Sequence, residues 1–246
     1  MLRSYLDREQ AASDDGSLRL LAIDTSADRA GVAVLVDGGL HETTWPAARS
    51  QTTQVLPRIE YLLDGVDMTT ADLSGVAVAI GPGTFTGLRV GLSLAKGIAM
   101  AHGLPILGIP TLAATALPWL EAGLPVMAVL PAGRGRLVWQ PFHPDVPERD
   151  GGESPVNGTP EEFLAVLGKT DVRAVVGELP TSLGWALASA PVPVVASAGL
   201  TSRVGAVALL AQHRLRQGDS DDLTTLEPIY VHGTPKATQP VRDGPR

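Results

Sequence analysis

The sequence predicts an α/β protein of two lobes, each a mixed sheet with helices packed on it. Three observations predict this. Short apolar runs that read as strands alternate with stretches of helical periodicity. Their order in the first half is repeated, in shorter form, in the second. At 246 residues and 44% hydrophobic content the chain can bury a sizeable core. With aromatics at only 4%, that core is built from Val, Leu, Ile and Ala.

Residues 1–17 are polar and unpatterned, and are expected to be a flexible extension lacking the apolar stretch of a signal peptide. LRLLAIDTS, Leu18 to Ser26, is the first strand. After the polar turn SADRAG, the segment GVAVLVDGGLHETTW folds on Asp37-Gly38-Gly39 into two more antiparallel strands. A helix follows over about Gln51–Leu63, with Val55, Leu56, Ile59, Leu62 and Leu63 on related faces and a kink expected at Pro57. LSGVAVAIG, Leu73–Gly81, is a buried strand, and GPGTFTGLRVGLSLAKG, Gly81–Gly97, supplies a loop and a helix reaching about His102. PILGIP is a short strand.

The second half opens with a helix over about 111–122 that contains Pro118. PVMAVLPA and RLVWQPF are strands around an Ala-Gly-Arg-Gly turn, and a loop region with room for one short strand leads to Thr159. Thr159-Pro160-Glu161-Glu162 carries an N-cap, a first-position proline and first-turn acids, so a helix starts there. The strand VRAVVGE, a helix near 181–190, the strand PVPVVAS and a long helix near 200–217 complete the pattern, and 233–246 reads as a flexible tail. The first half, β-β-β-α-β-α-β, has the order of a ribonuclease-H-like fold, and its shorter copy predicts a second such lobe. The lobes are expected at 18–110 and 111–232.

Net charge is −7 and no run of Lys or Arg with interleaved aromatics occurs, which disfavours direct, unaided RNA binding. The absence of cysteine excludes disulfides, zinc–thiolate sites and thiol nucleophiles. No apolar run approaches the ~18 residues of a membrane span, and a cytoplasmic protein with no membrane partner is expected.

The Gly81–Gly97 stretch has the glycine density of a phosphate loop entering a helix. A P-loop places Lys-Ser/Thr after its last glycine, whereas Leu88-Arg89 stand here; a dinucleotide fingerprint is G-x-G-x-x-G, whereas this is G-x-G-x-x-x-G. A tight turn explains the loop without a ligand: Pro82 fixes φ, Gly81 and Gly83 permit unusual φ, and Thr84 or Thr86 caps the helix. On the helix, Gly87, Gly91 and Ala95 form a stripe of small residues flanked by Leu88 and Leu92. Its apolar arc exceeds the roughly 100° of an ordinary surface helix, so two sides must be covered. One cover is its own sheet; the other is a second lobe or a second protein, and the pattern fits both.

Asp24-Thr25-Ser26 ends the first strand, where an acid holds a metal or activates water in enzymes of this fold; the simpler reading is that Asp24 caps its own turn. Together with Gly81 and Gly83 these residues form a candidate vestigial nucleotide or phosphate loop. None of the five histidines forms an i, i+4 pair, and no Gly-x-Ser-x-Gly elbow exists. Glu178 ends a strand and is either a solvated strand end or a site acid. No catalytic set and no metal ligand set assembles.

LAIDTSADRAGVAVL followed by GPGTFTGLRVGLSLAKGIAMAHGLPILGIPTLAA closely resembles the TsaB family, strongly over 18–115 and thinly in the middle of the second half; EPIYVHG resembles that family's closing P-x-Y segment. The resemblance implies a degenerate actin-like, Hsp70-like ATPase (ASKHA) architecture. It implies a non-catalytic dimerisation subunit for threonylcarbamoyl transfer to adenosine 37 of tRNA, pairing with a catalytic TsaD-like paralogue and a TsaE-like ATPase. Pairing would use the helices at 51–63 and 86–101, assigning Val55, Leu56, Ile59, Gly87, Leu88, Gly91, Leu92 and Ala95 to the interface. The chain alone would form a homodimer through the same surface and bind no cofactor. Any ATP or ADP would sit at the interface of the full complex, and tRNA would be reached only through it. The paralogue's His-x-x-x-His metal pair is replaced by Gln51-Thr52-Thr53-Gln54-Val55, and the family's Asp-Ala-Arg-x-Gly-Glu-x-Tyr hairpin by Pro131-Ala132-Gly133-Arg134-Gly135-Arg136-Leu137-Val138. The alternatives are a metal-dependent endopeptidase, for which ligands are lacking, and a small-molecule kinase, for which the second lobe lacks a glycine cluster.

Overall fold

The computed structural model describes residues 18–47, 51–145, 154–179, 190–196 and 202–231. The first sheet contains β1 (Leu20–Asp24), β2 (Arg29–Val36), β3 (Gly39–Pro46), β4 (Gly75–Gly81) and β5 (Ile106–Pro110), ordered β3-β2-β1-β4-β5. β1, β2 and β3 are antiparallel neighbours, while β4 and β5 join in parallel. α1 (Gln51–Asp64) and α2 (Phe85–His102) cover one face. The second sheet contains β6 (Val126–Pro131), β7 (Leu137–Phe142), β8 (Val156–Gly158), β9 (Ala174–Gly177) and β10 (Val194–Ala196), ordered β10-β9-β6-β7-β8. Read from the other edge, this is the order of the first sheet, with the same directions. The two ribonuclease-H-like lobes are therefore present, and the expected helix near 181–190 lies outside the described residues.

α3 (Thr111–Glu121) and α5 (Arg203–Arg216) lie between the sheets, and α4 (Pro160–Leu167) covers the far face of the second. Strand periodicity explains this stacking. Leu21, Ile23, Val32, Val34, Val76 and Val78 point to the α1–α2 side, whereas Leu20, Ala22, Ala33, Ala77 and Ala79 point to α5. Both faces are covered, so the strands read as continuous apolar runs. The α5 side is rich in alanine, and α5 answers with Ala206, Ala208 and Ala211, which lets the helix settle close to the sheet. β3 is a polar edge strand.

The expected boundary between the lobes needs one correction. α5, although last in the second lobe's sequence, rests on the first sheet, and the segment 219–231 runs back across both lobes. The Asp221 N–H donates to Ile106 O (2.9 Å), and its carboxylate accepts from the Gly108 N–H (2.7 Å) and from Arg214 (3.0 and 3.1 Å). Farther along, the Ile229 N–H donates to Ile80 O (2.7 Å), and Asn157 of the second lobe donates through Nδ2 to Val231 O (2.8 Å). The segment is a strap that ties the lobes together. Its ordered path follows from peptide groups that find partners on both sides.

Thr159 caps α4 as expected: its hydroxyl accepts from the Glu162 N–H (3.2 Å), and Glu162 accepts from the Thr159 N–H (2.7 Å). Thr159→Ala removes half of this reciprocal pair and is expected to cost about 1 kcal/mol in urea unfolding. Thr84 holds the N-cap position of α2, but its side chain makes no capping bond. α1 continues as helix through Pro57, which sits on its exposed face.

Candidate functional site

The glycines of the Gly81–Gly97 block act first on the chain itself. Gly81 has a φ of 117° and a cis bond to Pro82. Gly83 has no unusual φ; its requirement is space, since a Cβ there would overlap the Ser26 carbonyl. A Cβ on Gly87 would overlap the Thr25 carbonyl oxygen, and one on Gly91 the Thr25 hydroxyl. The two loops are stitched together where they touch. The Thr84 N–H donates to Ser26 O (2.7 Å), and Thr25 Oγ1 donates to Gly87 O (2.7 Å). The stripe of small residues therefore faces the end of β1. This corrects the expectation that it faces a partner: Gly87, Leu88, Gly91, Leu92 and Ala95, with Val55 and Ile59 of α1, are buried in the chain's own core. Of the eight residues assigned to the interface, only Leu56 is exposed, at 45%.

The surface that remains free is the outer side of the same two helices. Leu56, Tyr61 (73% exposed) and Met100 (70%) stand on it, as does Phe85 at the start of α2. These are four of the seven large hydrophobic side chains exposed among the described residues, although Phe85 is already packed against Tyr230 and Arg89. Between α1 and α2 runs an open groove of about 470 Å³. Leu56, Leu63, Met68, Leu94 and Ile98 give it apolar walls, Glu60 and Asp64 stand on the α1 side, and Ser93 and Gly97 form part of the α2 side. Gly97 differs from Gly87 and Gly91. It is exposed, and nothing lies within 4 Å of where its Cβ would be. The fold has no internal use for a glycine there, although glycine in a helix costs up to ~1 kcal/mol relative to alanine.

The cleft between the lobes holds the candidate phosphate loop. Asp24 does cap its own turn, accepting from the Ser26 N–H (2.9 Å) and the Ser26 hydroxyl (2.6 Å) on Oδ1. Its other oxygen accepts from Arg203 Nε at 2.6 Å, and the same guanidinium donates to Glu178 Oε1 at 2.8 Å. Glu178 is thus neither a solvated strand end nor a free site acid. Burial opposes the Arg203 charge, yet the two carboxylates outweigh it and hold the pKa above the ordinary arginine value. The chain's own cation occupies the space between the acids, and the Ser26 and Thr84 amide hydrogens are taken by Asp24 Oδ1 and Ser26 O. Among the described residues no cluster of three or more His, Asp or Glu side chains could hold a metal ion.

The altered hairpin also has an internal role. Arg136 donates to Asn157 through Nε (2.7 Å, Oδ1) and through its terminal nitrogen (2.9 Å, backbone O), fixing β8 against the turn and, through Asn157, the strap. At the other end of the strap's last stretch Tyr230 packs on Phe85, and its hydroxyl accepts from Arg89 Nε (3.1 Å). Two residues escaped the sequence reading. Gly97 could have been found as a helix glycine that lies off the buried stripe. Arg203 had no local signal, because its partner Asp24 lies 179 residues away.

The tRNA N6-adenosine threonylcarbamoyltransferase (TsaD) family model matches residues 28–148. The chain is 32% identical over 130 residues to the tRNA threonylcarbamoyladenosine biosynthesis protein TsaB of Escherichia coli K12, covering 52% of this chain and 56% of that one. To TsaB of Bacillus subtilis 168 it is 36% identical over 96 residues, 39% of this chain and 42% of that one. Thus the chain spans about half the length of the curated relatives it matches. YeaZ from Pseudomonas aeruginosa shares the fold, with a TM-score of 0.71, 23% identity, and coverage of 87% of this chain and 100% of that one. No helix among the described residues is long and apolar enough to cross a membrane. The fold is the two-lobed ribonuclease-H-like, ASKHA-type architecture, and the sequence matches, over about half of the chain, support the TsaB family.

Proposed function

We propose that this chain is a non-catalytic subunit in threonylcarbamoyl transfer to adenosine 37 of tRNA, and that the outer face of α1 and α2 docks a TsaD-like paralogue. The observation that carries the reading is Gly97, an outward glycine beside an apolar groove, with exposed Leu56 and Met100 on the same two helices. A helix gains from glycine at such a position only where another backbone comes close. The names of the relatives supply the reaction, and the resemblance supplies the partner. A TsaE-like ATPase joins the pair, tRNA is met only in that complex, and the setting is cytoplasmic. ATP or ADP, where it takes part, binds at the interface of the complex, because Arg203 fills this chain's own cleft. That ion cluster also speaks against a kinase of the same fold.

Size-exclusion chromatography with light scattering tests the reading, on the chain alone and mixed with its organism's TsaD homologue. The wild-type chain is expected to shift to a heterodimer. Gly97→Trp points into open space, so the variant is expected to keep its melting temperature yet to lose about 100-fold in affinity through the filled groove. A wild-type chain that ignores the TsaD homologue would overturn the proposal.

A further inference from the structure

Resting on that reading, we infer that the helix received by the α1–α2 groove carries Lys or Arg opposite Glu60 and Asp64, and that these two acids select that partner over a second copy of this chain. Both side chains line the groove and are exposed, and among the described residues neither is paired with a cation. Asp64 is the last residue of α1, and the final turn of that helix contains no basic residue. A negative charge at a helix C-terminus opposes the helix dipole, so Asp64 does not serve the stability of α1. The Arg and Lys side chains of α1 and α2 are engaged elsewhere. Arg58 stacks on the Trp45 ring, Lys96 reaches Thr224 O, and Arg89 holds Tyr230. His102, the other titratable group lining the groove, is bonded to Thr70.

A two-fold dimer through this groove would bring Glu60 and Asp64 of two copies into one interface. A symmetric interface repeats each patch against its own kind, and like charges placed in register are repelled. A heterologous helix with apolar side chains and one or two cations fills the groove and neutralises Glu60 and Asp64. The apolar walls thus provide contact area, and the two acids provide partner choice.

The double variant Glu60→Gln/Asp64→Asn tests this beside Leu56→Arg. Affinity for the organism's TsaD homologue, and self-association, are measured at about 50 mM and about 500 mM salt, where screening differs several-fold in range. The double variant is expected to bind the TsaD homologue about tenfold more weakly at low salt, to approach wild type at high salt, and to self-associate more tightly than wild type. If Leu56→Arg abolishes binding while the double variant behaves as wild type at both salts, the charge assignment fails and the docking reading stands. If neither variant changes binding, the groove is not the interface and both fail. If the groove pairs two copies and never the TsaD homologue, both fail as well.

Discussion

Arg203→Met is expected to destabilise the protein by about 3–5 kcal/mol, measured as a lower midpoint in urea unfolding at neutral pH. The guanidinium lies between Asp24 and Glu178 at 2.6 and 2.8 Å, and all three side chains are largely buried, with 11%, 3% and 17% exposure for the arginine, the aspartate and the glutamate. Removing the cation leaves two largely buried carboxylates without the charge that both of them pair with. The effect is expected to come mainly from this uncompensated charge and less from lost packing. The triple variant Asp24→Asn/Arg203→Met/Glu178→Gln separates the two contributions. It removes charge from all three positions and is expected to recover most of the loss. A triple variant no more stable than Arg203→Met would show that the cluster acts through shape instead.

The second large effect concerns two glycines of one helix. Gly87→Ala is expected to cost about 3 kcal/mol, despite the better helix propensity of alanine, because the new methyl group meets the Thr25 carbonyl and the backbone there has nowhere to go. Gly97→Ala on the same helix is expected to raise stability by up to about 1 kcal/mol, because its methyl group meets nothing. Chemical denaturation of the two variants gives opposite signs if the assignment of inward and outward faces is right. Equal effects would mean that α2 is not seated on β1 as described.

The strand and helix order was legible in the sequence because both sheets are covered on two faces, which writes each strand as an apolar run bounded by turn residues. The Thr159 capping box was legible because it is local: donor and acceptor lie within four residues. The stripe of small residues was visible, but its direction was not. Periodicity shows that a face is special without showing what it touches, and here it touches Thr25, brought beside it by a loop 62 residues earlier. The same limit hid Arg203 and left Glu178 undecided, since a charge cluster closed from opposite ends of the chain leaves no pattern at any one place. Leu56 was read with the other apolar positions of α1, and its assignment to an interface came from the resemblance and not from its own position.

The strap and α5 also bear on how the chain is made. The first sheet has all five of its strands by Pro110, yet its inner, alanine-rich face is covered by residues after 202, and its β4–β5 edge is tied by residues after 219. On the ribosome the first lobe therefore emerges with the part of that face under α5 uncovered, and only α3 packs on it while the second sheet is synthesised. Contacts between the two ends of the chain close last, the costliest order for a folding polypeptide. The amino-terminal half is thus a unit of architecture whose inner face is completed only by the last helix of the chain's described residues.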